Sequence, residues 1–565
     1  MNQITGAELT IRLLKRQNIN IIAGIPGGSN LPLYDALAQH PEIRHILARH
    51  EQGAGFIAQG ISRTTGRPSV CLATSGPGAT NLFTALADAK LDSIPIICIT
   101  GQVPRHLIGT DAFQEVDTYG MSMAITKHNF IAGSAHELPD IIPEAFRIAV
   151  SGRPGPVLID IPRDVQTQVI GFERFPEPGI ADPSSDIDQA ALDTAIRMIN
   201  ASRRPILYTG GGIMHSCASG IARELAEKAG IPVAMTLMGL GAIPSDHPLS
   251  LGMLGMHGAR YTNMALEECD LLIAAGTRFD DRATGRIAEF CPDAGIIHID
   301  IDPAELNKLR QIHVGIKADL KEALELILPF IEKKGRNTWL DRIAQLKRQY
   351  PMIMQGKDDP LKPYGIIRRI GELAGEDAIV ATDVGKHQMW VAQAYPFQRP
   401  RQFLTSGGLG TMGFGLPAAI GASLACPDRK VICFSGDGSL LMNIQEFATA
   451  VEEDVNITVI LFNNNSLGMV RQQQDLFFGR RYFASEFKNR VDFSAIARGF
   501  GIRTFDLAGG DDPAGTIAEA LAWRGPCLIH APVDLDEDVY PMVPPGAANR
   551  EMIGGPAFGD WEEAA

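Results

Sequence analysis

Val431-Ile432-Cys433-Phe434-Ser435-Gly436-Asp437-Gly438-Ser439 is an apolar run of strand length that stops on a glycine, a carboxylate, a second glycine and a hydroxyl. Such a run, bounded by turn residues, is the pattern of a strand buried on both faces, as in a parallel sheet. The next run, Ile457 to Phe462, ends at Asn463-Asn464-Asn465. Between Gly438 and Asn463 lie 24 residues, 439 to 462, room for one helix and one strand. Ile444, Phe447, Ala448 and Val451 mark the apolar face of that helix. Asp437 and Asn464 thus fall just past the carboxyl ends of neighbouring strands, where open α/β sheets bind ligands. A carboxylate and an amide oxygen, with glycines that let a diphosphate approach, suit a hard octahedral cation such as magnesium.

Upstream, short apolar runs alternate with longer helical patterns, which predicts an α/β chain of parallel-sheet domains. Strands are expected at Ile19 to Ala23, Ile43 to Leu47, Val70 to Ala73, Ile94 to Thr100 and Val157 to Ile161 in a first block. A second block carries Ile206 to Thr209, Leu271 to Ala275 and Ile296 to Ile301, and looks Rossmann-like without G-x-G-x-x-G. Gly210-Gly211-Gly212 after its first strand is read equally as a nucleotide loop or a plain turn. The expected limits are a first domain over 1–170, a linker over 171–189, a central domain over 190–345, a linker over 346–364, a third domain over 365–535 and a Pro/Gly-rich tail over 536–565.

At 565 residues and 45% hydrophobic content, the chain is long enough for several cores. Its net charge of −14 and lack of a Lys/Arg-rich run argue against a nucleic-acid partner. No apolar run reaches the roughly 18 residues of a membrane span, and the N-terminus shows no basic region followed by an apolar stretch, so a cytoplasmic protein without a membrane partner is expected. The 8 cysteines form no C-x-x-C pair and read as reduced, buried thiols, and the 13 histidines show no zinc-type spacing.

The spacing of Gly436-Asp437-Gly438 and Asn463-Asn464 resembles the thiamine-diphosphate fingerprint. That chemistry needs a second carboxylate at the aminopyrimidine, so that the ring's own amino nitrogen removes the thiazolium C2 proton. Glu51, in Arg49-His50-Glu51-Gln52-Gly53-Ala54-Gly55, follows the expected strand Ile43 to Leu47 and precedes a helix expected to begin near Gly53. With Ser75-Gly76-Pro77-Gly78-Ala79-Thr80-Asn81 downstream, it completes an ordered set of motifs. From about Gly6 to Gly555 the chain resembles the catalytic subunits of acetohydroxyacid synthase (acetolactate synthase), in the pyruvate-oxidase-like group of thiamine enzymes.

That resemblance implies two thiamine-diphosphate-binding domains with a Rossmann-like FAD domain between them, and a flavin with no net redox role. It assigns Glu51 as the activating glutamate in a dry pocket, and Gly28, Phe113 and Gln114 to the catalytic pocket. Cofactor contacts are implied for Val384, Gly385, His387, Gly410, Met412, Gly436, Asp437, Gly438 and Ser439, with Met412 as an apolar wedge. Lys386 stands where relatives often carry Gln, and a lysine there can still donate to phosphate. Asp437, Asn464 and Ser466 are implied as magnesium ligands. FAD contacts are implied for Arg153, Met256, His257, Gly258, Gly276, Arg278, Asp300 and Asp319. Arg282 would take the carboxylate of the second 2-keto acid, for which a guanidinium fork is suited.

The implied reaction decarboxylates pyruvate and transfers the hydroxyethyl unit to pyruvate or 2-ketobutyrate, giving 2-acetolactate or 2-aceto-2-hydroxybutyrate, the entry to valine, leucine and isoleucine. Met469 and Gln473 are implied as specificity residues. Many relatives have Trp at the site of Gln473, so weak discrimination between the two acceptors is expected. A homodimer or dimer of dimers and a small regulatory subunit are the implied partners. The Pro-rich tail and Gln472 to Phe487 are the candidate lids over a site that must exclude water. An FAD-linked pyruvate oxidase and a flavin-free catabolic acetolactate synthase remain as alternatives.

Overall fold

The apolar runs form the strands of three six-stranded parallel sheets, joined by a two-stranded antiparallel ribbon in which Asn2–Thr5 pairs with Val169–Phe172. The computed structural model describes residues 2–183 and 186–555. The last ten residues of the expected tail, 556–565, lie outside the described residues, as do 184 and 185 of the expected first linker.

In spatial order the first sheet is Arg44–Leu47, Ile21–Gly24, Ser69–Ala73, Ile96–Gln102, Val157–Pro162 and His128–Ile131. The third is Phe403–Leu404, Ile379–Thr382, Val431–Gly436, Ile457–Asn463, Cys527–Pro532 and Arg503–Asp506. Numbered within each domain, both run 2-1-3-4-6-5, so the first and third domains repeat one topology. The central sheet, Ser250–Met253, Val233–Met235, Pro205–Thr209, Leu271–Ala275, Gly295–Asp300 and Val314–Lys317, runs 3-2-1-4-5-6, the Rossmann order.

Central strands such as Ile96–Gln102, Val431–Gly436 and Ile457–Asn463 are buried along their whole length, because helices cover both faces. The first and third domains meet where helix Glu51–Thr65 crosses helix Gly415–Ala425. A Cβ on Gly60 would lie 2.1 Å from Ala418 O, and one on Gly421 would lie 2.1 Å from Ile57 O. Only glycine lets the two backbones approach this closely.

Near the expected linkers, Phe172 still pairs with Asn2 and the next helix opens at Gln189. Helix Asn337–Gln349 runs past residue 346 and helix Pro363–Ala374 begins before 365. Six cysteines are buried and none is disulfide-bonded, but Cys217 is exposed and Cys426 half-buried, which corrects the all-buried expectation. Cys217 sits in a tight turn after a one-turn helix, where no apolar layer covers it.

Candidate active site

In a 2-1-3-4-6-5 sheet the connections diverge between the first and third strands, and the crevice outside their carboxyl ends binds ligands. In the third domain those strands are Ile379–Thr382 and Val431–Gly436, which deliver Asp383 to His387 and Asp437 to Ser439 to one place. Asn464 arrives from the adjacent strand.

Asp437 is buried; its Oδ1 accepts Gly438 N at 2.8 Å and its Oδ2 accepts Ser466 N at 3.2 Å. Burial pushes its carboxyl up to about 6 against those N–H donors. Asn464 Oδ1 accepts the same Ser466 N at 3.1 Å. The Ser466 hydroxyl donates to Ser485 O at 2.7 Å, and its backbone N is shared by Asp437 and Asn464. Ser439 Oγ donates to Val384 O at 2.8 Å, tying the two loops together. Burial holds His387 neutral, down to about 3, and its Nε2 is buried without a protein partner. An orphaned imidazole nitrogen beside Gly385 and Gly436 fits a polyanionic ligand such as a diphosphate. Asp383, which no motif singled out, accepts Gly413 N at 2.7 Å and Ser435 Oγ at 3.1 Å, and so fixes the chain beside Met412.

Lys386 lines the same cavity, but its ammonium is engaged by the tail. Its Nζ pairs with Asp538 at 2.6 Å and donates to Glu537 O at 2.9 Å, which corrects the expectation of a phosphate donor.

The crevice continues as one cavity of about 1210 Å³ into the central domain. There Gly212 N donates to Gly276 O at 3.1 Å across the switch point of the Rossmann sheet, and a Cβ on Gly212 would lie 2.6 Å from Gly276 Cα. Met256, His257, Gly276, Arg278, Asp300, Asp319 and Arg153 all line the cavity; Gly258 does not, its Cα side being packed on the Leu254 backbone. Arg153 is committed to Glu305 at 2.7 Å, and Asp319 caps helix Leu320–Ile327 through Lys321 N at 2.9 Å. Burial pushes Asp300 up to about 6 and His257 down to about 4. Thr277 Oγ1 is buried without a partner at the same wall.

Arg282, Met469 and Gln473 are also on the cavity wall, with Gly410 and Met412. The Arg282 side chain is 63% exposed, with Asp281 Oδ2 at 3.9 Å and Met256 Sδ at 3.6 Å. That geometry leaves its guanidinium able to take a carboxylate in bidentate fashion.

Glu51, Gly28, Phe113 and Gln114 gather elsewhere, at the carboxyl edge of the first sheet, and none of them lines this cavity. Glu51 opens its helix half-buried, and its Oε2 accepts Asn81 Nδ2 at 2.9 Å. Gly28 is exposed and Phe113 is 88% exposed. Glu446, also missed by motif reading, reaches over from the third domain. It accepts Arg49 N and His50 N at 3.0 Å each, which sets the strand-to-helix turn that presents Glu51. Its one sequence signal is an acid beside Phe447 on an apolar helical face.

The tail over 536–555 is strapped to the central domain, with Val539, Met542 and Val543 buried, Val543 N donating to Met256 O at 2.9 Å and Asn549 Nδ2 to Ala283 O at 2.9 Å. Among the described residues no helix is long and apolar enough to cross a membrane.

The chain matches the N-terminal TPP binding domain of thiamine pyrophosphate enzymes over residues 4–121, their central domain over 192–327 and their C-terminal TPP binding domain over 383–531. It is 58% identical over 552 residues to the acetolactate synthase isozyme 1 large subunit of Escherichia coli (strain K12), covering 98% of each chain. It is 46% identical to the isozyme 2 large subunit of the same organism, over 97% of this chain and 99% of that one. It is 45% identical to acetolactate synthase 1, chloroplastic, of Zea mays, over 97% of this chain and 88% of that one. These relatives do not favour the oxidase or catabolic alternatives. Similarity along nearly the whole length, with a crevice at the switch point of the third sheet, places this chain among the thiamine pyrophosphate enzymes, in the family of the acetolactate synthase large subunits.

Proposed function

We propose that this chain is the catalytic subunit of an acetohydroxyacid synthase, joining pyruvate to a second 2-keto acid with loss of CO2 to give 2-acetolactate, or 2-aceto-2-hydroxybutyrate from 2-ketobutyrate. The observation that carries the reading is a single cavity lined by Asp437, Asn464, Arg282 and Gln473 together.

Thiamine diphosphate, when bound, supplies the electron sink that makes decarboxylation of a 2-keto acid feasible. The chain's residues do the rest. Asp437, Asn464 and the main chain at Ser466 would hold Mg2+, with Val384, Gly385, His387, Gly436, Gly438 and Ser439 around the diphosphate. Gly410 and Met412 would meet the pyrimidine half, and Glu51 would hold the proton exchanged at its ring nitrogen. Arg282 would orient the acceptor by its carboxylate, while Met469 and Gln473 shape the acceptor's side of the pocket.

Glu51, Gly28, Phe113 and Gln114 lie outside the cavity of their own chain, with Phe113 bare, which supports a site completed by a second copy. A homodimer or dimer of dimers follows, with a small regulatory subunit, as the "large subunit" names of the relatives suggest. The Rossmann order, the Gly212–Gly276 approach and the orphaned Thr277 hydroxyl support FAD in the central domain, held by Arg153, Met256, His257, Gly276, Arg278 and Asp300. No redox step is asked of it. The expected domain limits and cytoplasmic location belong to the same reading.

Product analysis tests it: purified protein with Mg2+ and thiamine diphosphate is given pyruvate alone and pyruvate with 2-ketobutyrate, with and without FAD. Acetolactate and acetohydroxybutyrate are expected. Acetaldehyde or acetate as the main product would overturn it.

A further inference from the structure

Asp92 closes helix Phe83–Leu91 in the first domain, yet its carboxylate serves the third. Its Oδ2 accepts Gly407 N at 3.0 Å and its Oδ1 accepts Gly408 N at 2.7 Å. One turn earlier, Asp88 Oδ1 accepts Thr411 Oγ1 at 3.1 Å and also the hydroxyl of Ser406. Ser406 Oγ in turn accepts Thr411 N at 2.8 Å. Arg63 is wedged between the carboxylates, with Nη2 3.1 Å from Asp88 Oδ2 and 2.8 Å from Asp92 Oδ2. Its Nη1 donates to Thr405 O at 2.9 Å.

All three side chains are sealed from solvent, at 5% exposure for Arg63 and 0% for both aspartates. Two carboxylates against one guanidinium is a costly burial, tolerable only when other donors satisfy the spare oxygens. Four such donors are present, the Ser406 hydroxyl, Gly407 N, Gly408 N and the Thr411 hydroxyl, and every one belongs to the segment 406–411. The anchors bracket Leu409 and Gly410 on both sides, and Met412 follows directly. Leu409 itself is exposed, and nothing approaches the Cβ position of Gly410. A short bridge that no packing holds is thereby given one conformation from its two ends.

We propose that Asp92, with Asp88 and Arg63, is a positioning residue for the pyrimidine half of the thiamine cofactor. The inference rests on the reading above in which Gly410 and Met412 meet that half. The carboxylates touch no ligand; they set where the 409–412 segment stands.

The positioning role separates the two ends of the ligand. Loosening the 406–411 segment weakens thiamine diphosphate but not inorganic diphosphate, whose cradle is built on Asp437 and His387. Equilibrium dialysis with saturating Mg2+ measures both. For Asp92→Asn, the dissociation constant of thiamine diphosphate rises about tenfold, the scale of one hydrogen bond to a charged acceptor, while that of inorganic diphosphate stays unchanged. Ser406→Ala, which removes one anchor at each end of the bridge without touching Asp92, shows the same split. Unchanged thiamine diphosphate binding in both variants overturns the proposal, and so does an equal loss for both ligands. If Asp92→Asn yields no folded protein, Ser406→Ala decides by the same criterion. Failure of the unaltered protein to bind thiamine diphosphate refutes instead the reading of the site.

Discussion

Lys386 Nζ lies 2.6 Å from Asp538 Oδ1, and the lysine side chain is only 3% exposed. A cation between Gly385 and His387 is thus spent on fastening the tail. Burial pushes the Lys386 ammonium down and the Asp538 carboxyl up, and the attraction of each for the other opposes both shifts.

Removing one partner strands a buried charge. Asp538→Ala should lower the unfolding free energy by about 3 kcal/mol, read as a shift in urea midpoint. The double change Lys386→Met with Asp538→Leu should recover most of the loss. A wild-type midpoint for Asp538→Ala would show that the pair holds nothing.

Glu51→Gln keeps an oxygen to accept Asn81 Nδ2 and leaves the Glu446 bonds to Arg49 N and His50 N untouched. The fold should survive, and thiamine diphosphate should still bind. Acetolactate formation should drop by about 10²-fold or more, the range of a lost acid–base group. Full activity in this variant would remove Glu51 from the chemistry.

Asp160 is fully buried in strand Val157–Pro162, accepting Thr100 Oγ1 at 2.7 Å and Gln102 Nε2 at 3.0 Å, with no cation in contact among the described residues. Burial pushes its carboxyl up to about 7. The native state therefore holds a proton that the unfolded chain releases near pH 4, so this group's contribution to stability is lost as pH rises from about 4 through 7. Asp160→Asn cannot ionise. Its unfolding free energy relative to wild type should move upward between pH 5 and pH 8 by about 1.4 kcal/mol or more, the equivalent of one pH unit of displacement. A difference that stays flat with pH would contradict this.

Gln473 lines the cavity beside Met469 and Val470. An amide there offers a second acceptor methylene little apolar surface, so the unaltered protein should choose weakly between pyruvate and 2-ketobutyrate. Gln473→Trp should raise the preference for 2-ketobutyrate by about tenfold, the worth of a methylene in an apolar pocket. Competition assays with both acceptors measure the ratio, and a strong preference already present in the unaltered protein would sink the idea.

The central strands were legible because two-sided burial writes itself as unbroken apolar runs, as in Val431 to Ser435 and Leu271 to Ala275. Of the edge strands only Arg44–Leu47 was expected. His128–Ile131, Val314–Lys317 and Arg503–Asp506 each bury only alternate or single side chains, so their residues read as loop. Ile379–Thr382 is buried throughout yet only four residues long, too short to stand out from a helix segment.

The sequence by itself determined which chemistry is carried, since Asp437, Asn464 and Glu51 sit at spacings that local strand-turn-helix units dictate. Tertiary structure decided how those groups are shared out. Asp437 and Asn464 enter one cavity with Arg282, while Glu51 stands at another sheet edge, because the order of strands and the crossing of two helices at Gly60 and Gly421 are long-range facts. Charge partners are of the same kind. Lys386 finds Asp538 across 152 residues and Arg63 finds Thr405 across 342, and the residue on its own carries no mark of which partner folding will bring.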